Sequence, residues 1–253
     1  LTNGSFLTKI DLRKLQDILN DGGMNMLGGL GGYLIYIALL MIIPLWAQSK
    51  VKNTYKKYSK KATSSGMTGA EVARKILNDN GIYDVEVRET KGFLSDHYHP
   101  KKKTVNLSSN NFHGQSMASS AIAAHEVGHA IQDAQDYAFL RFRHALVPIA
   151  NTGSNFSFFL IFAGIIFGMS EMLLLGIIFM SAAVLFQLVT LPVEFDASNR
   201  AMAQLVSTGV IRNNEERETK KVLNAAALTY VAAALVAVAE LIRFILIYAA
   251  SNE

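Results

Sequence analysis

Residues 145–195 read ALVPIANTGSNFSFFLIFAGIIFGMSEMLLLGIIFMSAAVLFQLVTLPVEF, with Glu171 and Glu194 as the only formal charges. Two apolar runs, about 146–169 and 172–191, each reach the ~20 residues that cross a bilayer. Only Ser170 and Glu171 part them, so the segment 145–193 is predicted to cross and return as a helical hairpin. Working outward, residues 27–47 form another such run, with Pro44 near its exit, and residues 222–250 form a fourth. The whole chain agrees: of 253 residues, 51% are hydrophobic and 17% charged, against about 25% charged in an ordinary soluble domain. A purely soluble enzyme and a disordered chain are both excluded on these counts. The expected class is a polytopic α-helical membrane protein with four transmembrane helices.

The charge of +4 would suit a nucleic-acid partner if it were clustered on one folded face. Instead, fifteen of the 24 Lys and Arg lie from Lys50 to Arg143 and five from Arg200 to Lys221. A basic excess in alternate loops marks the cytoplasmic side. Segments 48–144 and 194–221 are therefore expected inside, and the N-terminus and hairpin tip outside, with the bilayer as partner and no nucleic acid. Lys50, Lys52, Lys56, Lys57, Lys60 and Lys61 make a basic collar just past the first span. Residues 1–26, rich in glycine toward their end, are expected to be a variable extension, with Met24 or Met26 as an internal start. Absence of cysteine excludes disulfides and thiolate metal sites.

The one sizeable polar segment, 48–144, reads as a small α+β unit. Thr68 can cap a helix through Asn80 with Gly81 as its stop. Residues 85–88 and 103–107 alternate like strands, with Pro100 and the lysines after it as a turn. Residues 116–134 form an alanine-rich helix. Strand 103–108 is expected to offer its edge to an extended substrate.

That helix carries His125-Glu126-Val127-Gly128-His129. Positions i and i+4 share a helix face, so both imidazoles can reach one ion. Glu126 lies about 100° round, placed to hold a water at that ion as general base. This is the arrangement of a zinc hydrolase. Gln132 and Gln135 occupy the glycine and third-histidine places of the metzincin pattern, which closes that route. Asp133 could at best orient His129. Glu194 is the better third ligand, because the hairpin returns the chain beside the histidine helix. Pro192 is expected to stop the third span and Glu194 to begin a new helix, with Ser198 one turn on as a partner behind the ligands. His97 or Tyr98, beside Asp96, His99 and upstream of His113, could donate to an oxyanion or contact substrate. Glu240 and Arg243, at i and i+3 in the last span, are expected to pair.

Leu94-Ser95-Asp96-His97-Tyr98, Lys103-Thr104-Val105, Ala124 through Gln132, Ala145-Leu146-Val147-Pro148 and Glu194-Phe195-Asp196-Ala197 together resemble the YugP-type neutral zinc metallopeptidases, a membrane-embedded, gluzincin-like family. The resemblance covers about residues 27–248. It implies a zinc metalloendopeptidase of the bacterial cell membrane, with one Zn2+ per chain on His125, His129 and Glu194, Glu126 as the catalytic glutamate, and a cytoplasmic, zincin-like α+β catalytic domain. Protein or peptide substrates follow, membrane proteins first among them, with homo- or hetero-oligomers left open. The chain departs from the pattern at His99, where an aspartate is expected, and at Ser198, where gluzincins often carry one. Two rivals are an intramembrane-cleaving metalloprotease and a metal-binding membrane scaffold without catalysis. Against the first, Gln115, Ser116, Ser119 and Ser120 make the histidine helix polar, and no Leu-Asp-Gly follows in a later span.

Overall fold

The computed structural model describes residues 30–251, so the expected extension 1–26 and the first residues of span one lie outside the described residues. The chain divides into two units, Leu1–Leu45 and Trp46–Glu253. In the first, the described residues belong to helix α1 (Leu30–Tyr58), with Leu34, Ile35, Leu39, Met41 and Ile42 exposed. The second unit starts in the polar end of α1 and holds everything that follows.

Helix α2 (Gly69–Asp79) opens with a reciprocal cap. Thr68 Oγ1 accepts from Glu71 N at 3.2 Å, and Glu71 Oε2 accepts from Thr68 N at 2.7 Å, which satisfies two of the helix's orphan donors. Gly81 takes the left-handed conformation just beyond it, φ 70°. Strands β1 (Glu86–Thr90), β2 (His97–His99) and β3 (Thr104–Ser108) form one sheet in the order β1-β3-β2. β1 runs parallel to β3 and β2 antiparallel to it. Strand β3 is therefore central, with partners on both sides, and the expected substrate-pairing edge at 103–108 does not exist. The sheet's edges belong to β1 and β2.

After a short turn, α3 (Ser109–Phe112), the chain enters α4 (Met117–Ala134) through a Ser116 cap whose Oγ accepts from Ser119 N at 3.1 Å. Helix α4 is buried on nearly every side, and Ala118, Ala121, Ala123, Ala124 and Ala130 are each at most 1% exposed. Its buried polar groups are therefore ones that other elements must satisfy. It packs against α2, α6 and α7, with Val127, Ile131, Leu205 and Leu223 in its core.

Helices α5 (Ala138–Phe167) and α6 (Ser170–Ser207) form the hairpin. The turn falls at Gly168 and Met169, two residues before the Ser170-Glu171 break expected, because Gly168 takes φ 63° at little cost for want of a Cβ. α6 also runs unbroken through Pro192, so Glu194 does not begin a new helix. One lost backbone bond is tolerated in a long helix braced by neighbours, and Thr190 Oγ1 donates back to Phe186 O at 2.8 Å. Helix α7 (Asn213–Ala250) closes the unit. Its Glu240 and Arg243 pair at 2.6 Å.

Among the described residues, four helices, α1, α5, α6 and α7, are long and apolar enough to cross a membrane. Phe156, Phe158, Phe159, Phe162, Ile178 and Ile242 are all more than half exposed on them. Apolar surface of that extent needs a nonaqueous neighbour.

Candidate metal centre

His125 and His129 stand one turn apart on α4, their rings 4.8 Å apart and nearly perpendicular at 81°. Between them Gly128 faces α6. A Cβ there would fall 2.6 Å from Ala197 O, so the two helices meet backbone to backbone. Glu194, one turn before Ala197, is thereby held against both imidazoles. Its Oε2 lies 3.2 Å from His125 Nε2 and 3.5 Å from His129 Nε2. The three groups offer donor atoms within 4.8 Å of one another and could hold a metal ion.

The spacing fits zinc. Two donors each about 2.1 Å from a tetrahedral ion stand about 3.4 Å apart, close to the distances found. The far nitrogens fit as well. His125 Nδ1 lies 3.2 Å from Ser198 Oγ, and His129 Nδ1 lies 3.0 Å from Gln132 Oε1. A proton held on each Nδ1 leaves both Nε2 atoms, which lie beside the Glu194 carboxylate, free to bind an ion. Ser198 thus gives the His125 imidazole a neutral oxygen as its partner instead of a charged one. Gln132 also donates to Val193 O and Asp196 Oδ2, both at 2.8 Å, and so joins α4 to α6.

Glu126 is buried and lines the same cavity as His129 and Glu194. Its Oε2 accepts from Tyr98 N at 2.9 Å, which uses the outward edge of β2. Burial pushes its carboxyl above the ordinary range, against the pull of the neighbouring imidazoles. The Tyr98 hydroxyl donates to Asp133 Oδ2 at 2.8 Å. Burial, reinforced by that carboxylate, raises the phenol's pKa and keeps it a donor. His97 is exposed and lines the cleft, with Nδ1 2.8 Å from Ser95 O. His113 lies apart, paired with Glu89 at 3.3 Å.

Asp133 does not orient His129, as the sequence suggested; Gln132 does. Asp133 receives Tyr98, Lys103 Nζ at 2.7 Å and Arg141 Nη1 at 3.4 Å, which clamps the sheet onto α4. Burial opposes its ionisation, but the Lys103 and Tyr98 hydrogen bonds hold its pKa below the ordinary value. A depressed carboxylate contributes stability that is present above its unfolded pKa of ~3.9 and lost as pH falls through the folded value. Asp133→Asn is therefore expected to cost about 1.5–3 kcal/mol near neutral pH. The gap from wild type should narrow below about pH 4. Thermal melts across pH check this, and a gap that stays constant into acid would contradict it.

A cavity of about 130 Å3 opens beside the ligands, walled by His97, Glu126, His129, Arg143, Glu194 and Tyr230. A second, of about 180 Å3, abuts His125 and Glu126 among Leu94, Ile122, Leu223 and Ala226. Arg143, Tyr230 and Gln132 are the residues that sequence reasoning missed. Gln132, at i+3 from His129, could have been found by helix spacing. Arg143 Nη1 is 3.8 Å from Glu194 Oε1, and Tyr230 lines both cavities. Nothing local in the sequence marks either. Asp96 works behind them, accepting from Ser108 N at 2.8 Å and Asn111 Nδ2 at 2.9 Å, which fixes the approach to β2.

A protein family described as "Putative neutral zinc metallopeptidase" matches residues 33–249. The chain is 52% identical over 206 residues to the "Putative membrane protease YugP" of Bacillus subtilis (strain 168), covering 81% of this chain and 92% of that protein. No solved structure matches.

Proposed function

The chain belongs to the neutral zinc metallopeptidase family, and from that premise we propose that it is a zinc-dependent membrane endopeptidase working at the cytoplasmic face, with one zinc per chain. The observation that carries this is the convergence of His125, His129 and Glu194, with donor atoms within 4.8 Å of one another, beside a buried glutamate. Zinc, when bound, polarises the scissile carbonyl and acidifies water.

The chain's own residues supply the rest. Glu126, steadied by the Tyr98 N–H, takes the proton of the attacking water and delivers it to the leaving amine. Ser198 and Gln132 keep the imidazoles turned to the ion. Arg143, Tyr230 and His97 are the donors in the cleft that can meet the developing oxyanion. The neighbouring 180 Å3 cavity is apolar over much of its wall and suits a substrate side chain.

Helix lengths support a site at the membrane surface. Glu194 lies 24 residues along α6 from Ser170, about 36 Å at 1.5 Å per residue, beyond a hydrocarbon core of about 30 Å. Helix α4 is not among the four helices long and apolar enough to span, which favours a surface domain over an intramembrane one. The basic segments 48–144 and 194–221 put that surface on the cytoplasmic side. Membrane proteins and their cytoplasmic tails are then the natural substrates.

The test is hydrolysis of a membrane-anchored fluorogenic peptide by the protein in lipid nanodiscs. Cleavage that a chelator abolishes and added zinc restores is the expected result. Cleavage indifferent to chelation would contradict the proposal.

A further inference from the structure

On the far side of α7 from the apolar cavity, α1, α6 and α7 enclose a groove of about 880 Å3. Lys50 and Lys57 of α1 and Lys221 of α7 line one part of it, and Phe195, Leu228 and Val231 line another. All three lysines are exposed, and none makes an ion pair with a carboxylate among the described residues. The groove is therefore basic in one half and apolar in the other.

The helix rise orders those halves along the membrane normal. Measured from Ala250, the end of α7, Val231 lies about 28 Å and Lys221 about 44 Å along the axis. A bilayer has a core of about 30 Å and spans about 40–45 Å with its headgroups. Counted from one edge of the core, Val231 meets the other edge of the hydrocarbon and Lys221 stands just outside the headgroup layer, from where its long side chain reaches down to a phosphate.

We propose that this groove binds an anionic phospholipid. Its phosphate lies among Lys50, Lys57 and Lys221, and an acyl chain runs down past Leu228 and Val231 against Phe195. Asn53 and Asn224, also in the wall, offer amides to the headgroup and glycerol. A zwitterionic lipid brings its own cation toward three ammonium groups and is disfavoured. An acidic peptide would leave the apolar half unfilled. Each lysine near an anionic surface is expected to strengthen such binding by about fivefold. This site stands apart from the peptidase chemistry and does not depend on it.

The chain's single tryptophan reports on the groove. Trp46 is 56% exposed and shares the face of α1 that carries Lys50, Asn53 and Lys57, at offsets of 4, 7 and 11 residues. The full chain is placed in phosphatidylcholine nanodiscs with an equal mole fraction of brominated phosphatidylglycerol or brominated phosphatidylcholine, and Trp46 fluorescence is read. The brominated anionic lipid is expected to quench about twofold or more beyond the neutral one. Substituting Lys50→Gln, Lys57→Gln and Lys221→Gln together should erase that difference. Lys52→Gln, Lys56→Gln and Lys60→Gln, which lie outside the groove, should keep it. Excess inorganic phosphate should not displace the lipid. Equal quenching by both lipids in the wild type would overturn the site. So would loss of the preference in the Lys52, Lys56 and Lys60 variant, which would indicate a diffuse basic collar, or displacement by phosphate, which would indicate a bare anion site.

Discussion

Glu126→Gln should lower kcat for peptide hydrolysis by about 10²- to 10⁴-fold, the usual worth of a positioned general base, while the zinc content stays at the wild-type level. The amide keeps the shape and still accepts from Tyr98 N through its oxygen, so the contact at 2.9 Å survives and β2 stays in place. What is lost is the basic oxygen that takes and returns the proton. Because Glu126 is not among the three grouped donors, its replacement leaves His125, His129 and Glu194 free to hold the ion. Single-turnover cleavage with metal analysis of the same sample checks both halves. Hydrolysis within a few-fold of wild type would remove Glu126 from its role.

Gly128→Ala should damage the metal centre without touching a ligand. In an isolated helix the change helps, by up to about 1 kcal/mol. Here the new methyl group would meet Ala197 O at 2.6 Å and Ala197 Cα at 3.2 Å. A backbone carbonyl inside α6 cannot turn aside as a long side chain can, so the helices must part, at about 1–3 kcal/mol. The clash outweighs the propensity gain. Glu194 sits one turn from Ala197, and the parting carries it off both imidazoles. Zinc affinity is expected to fall by about tenfold or more, as when groups that orient ligands are removed, and the melting temperature should fall with it. Competition with a chromogenic chelator measures the first. Wild-type affinity in Gly128→Ala would show that the close helix crossing does not position the ligand.

Much of this architecture can be read from residue order, for identifiable reasons. Apolar runs of bilayer length announce the four long helices, and an i, i+4 histidine pair on an alanine-rich helix announces the face that meets an ion. The return of the hairpin brings Glu194 back across 65 residues, and the structure places it 3.2 Å from His125. Where local rules mislead, tertiary packing is the cause. Pro192 reads as a helix stop, yet flanking helices brace α6 straight through it. Strand β2 has three residues, too few to show alternation, and without it the sheet looks like two strands with a free edge at β3. Asp133 has the right offset to orient His129 but is taken by Lys103 and Tyr98, partners that only the docking of the sheet supplies. Tyr230 reaches the cleft from a helix whose sequence is otherwise small and apolar.

The proposed joint hold of His125, His129 and Glu194 on zinc is read as zinc per chain in detergent-purified protein, with wild type, Glu126→Gln and Glu194→Ala side by side. About one zinc is expected in the first two, and a sharp loss in Glu194→Ala, since two histidines alone leave a catalytic site one protein ligand short. One zinc retained in Glu194→Ala, or none in folded wild type, would contradict it.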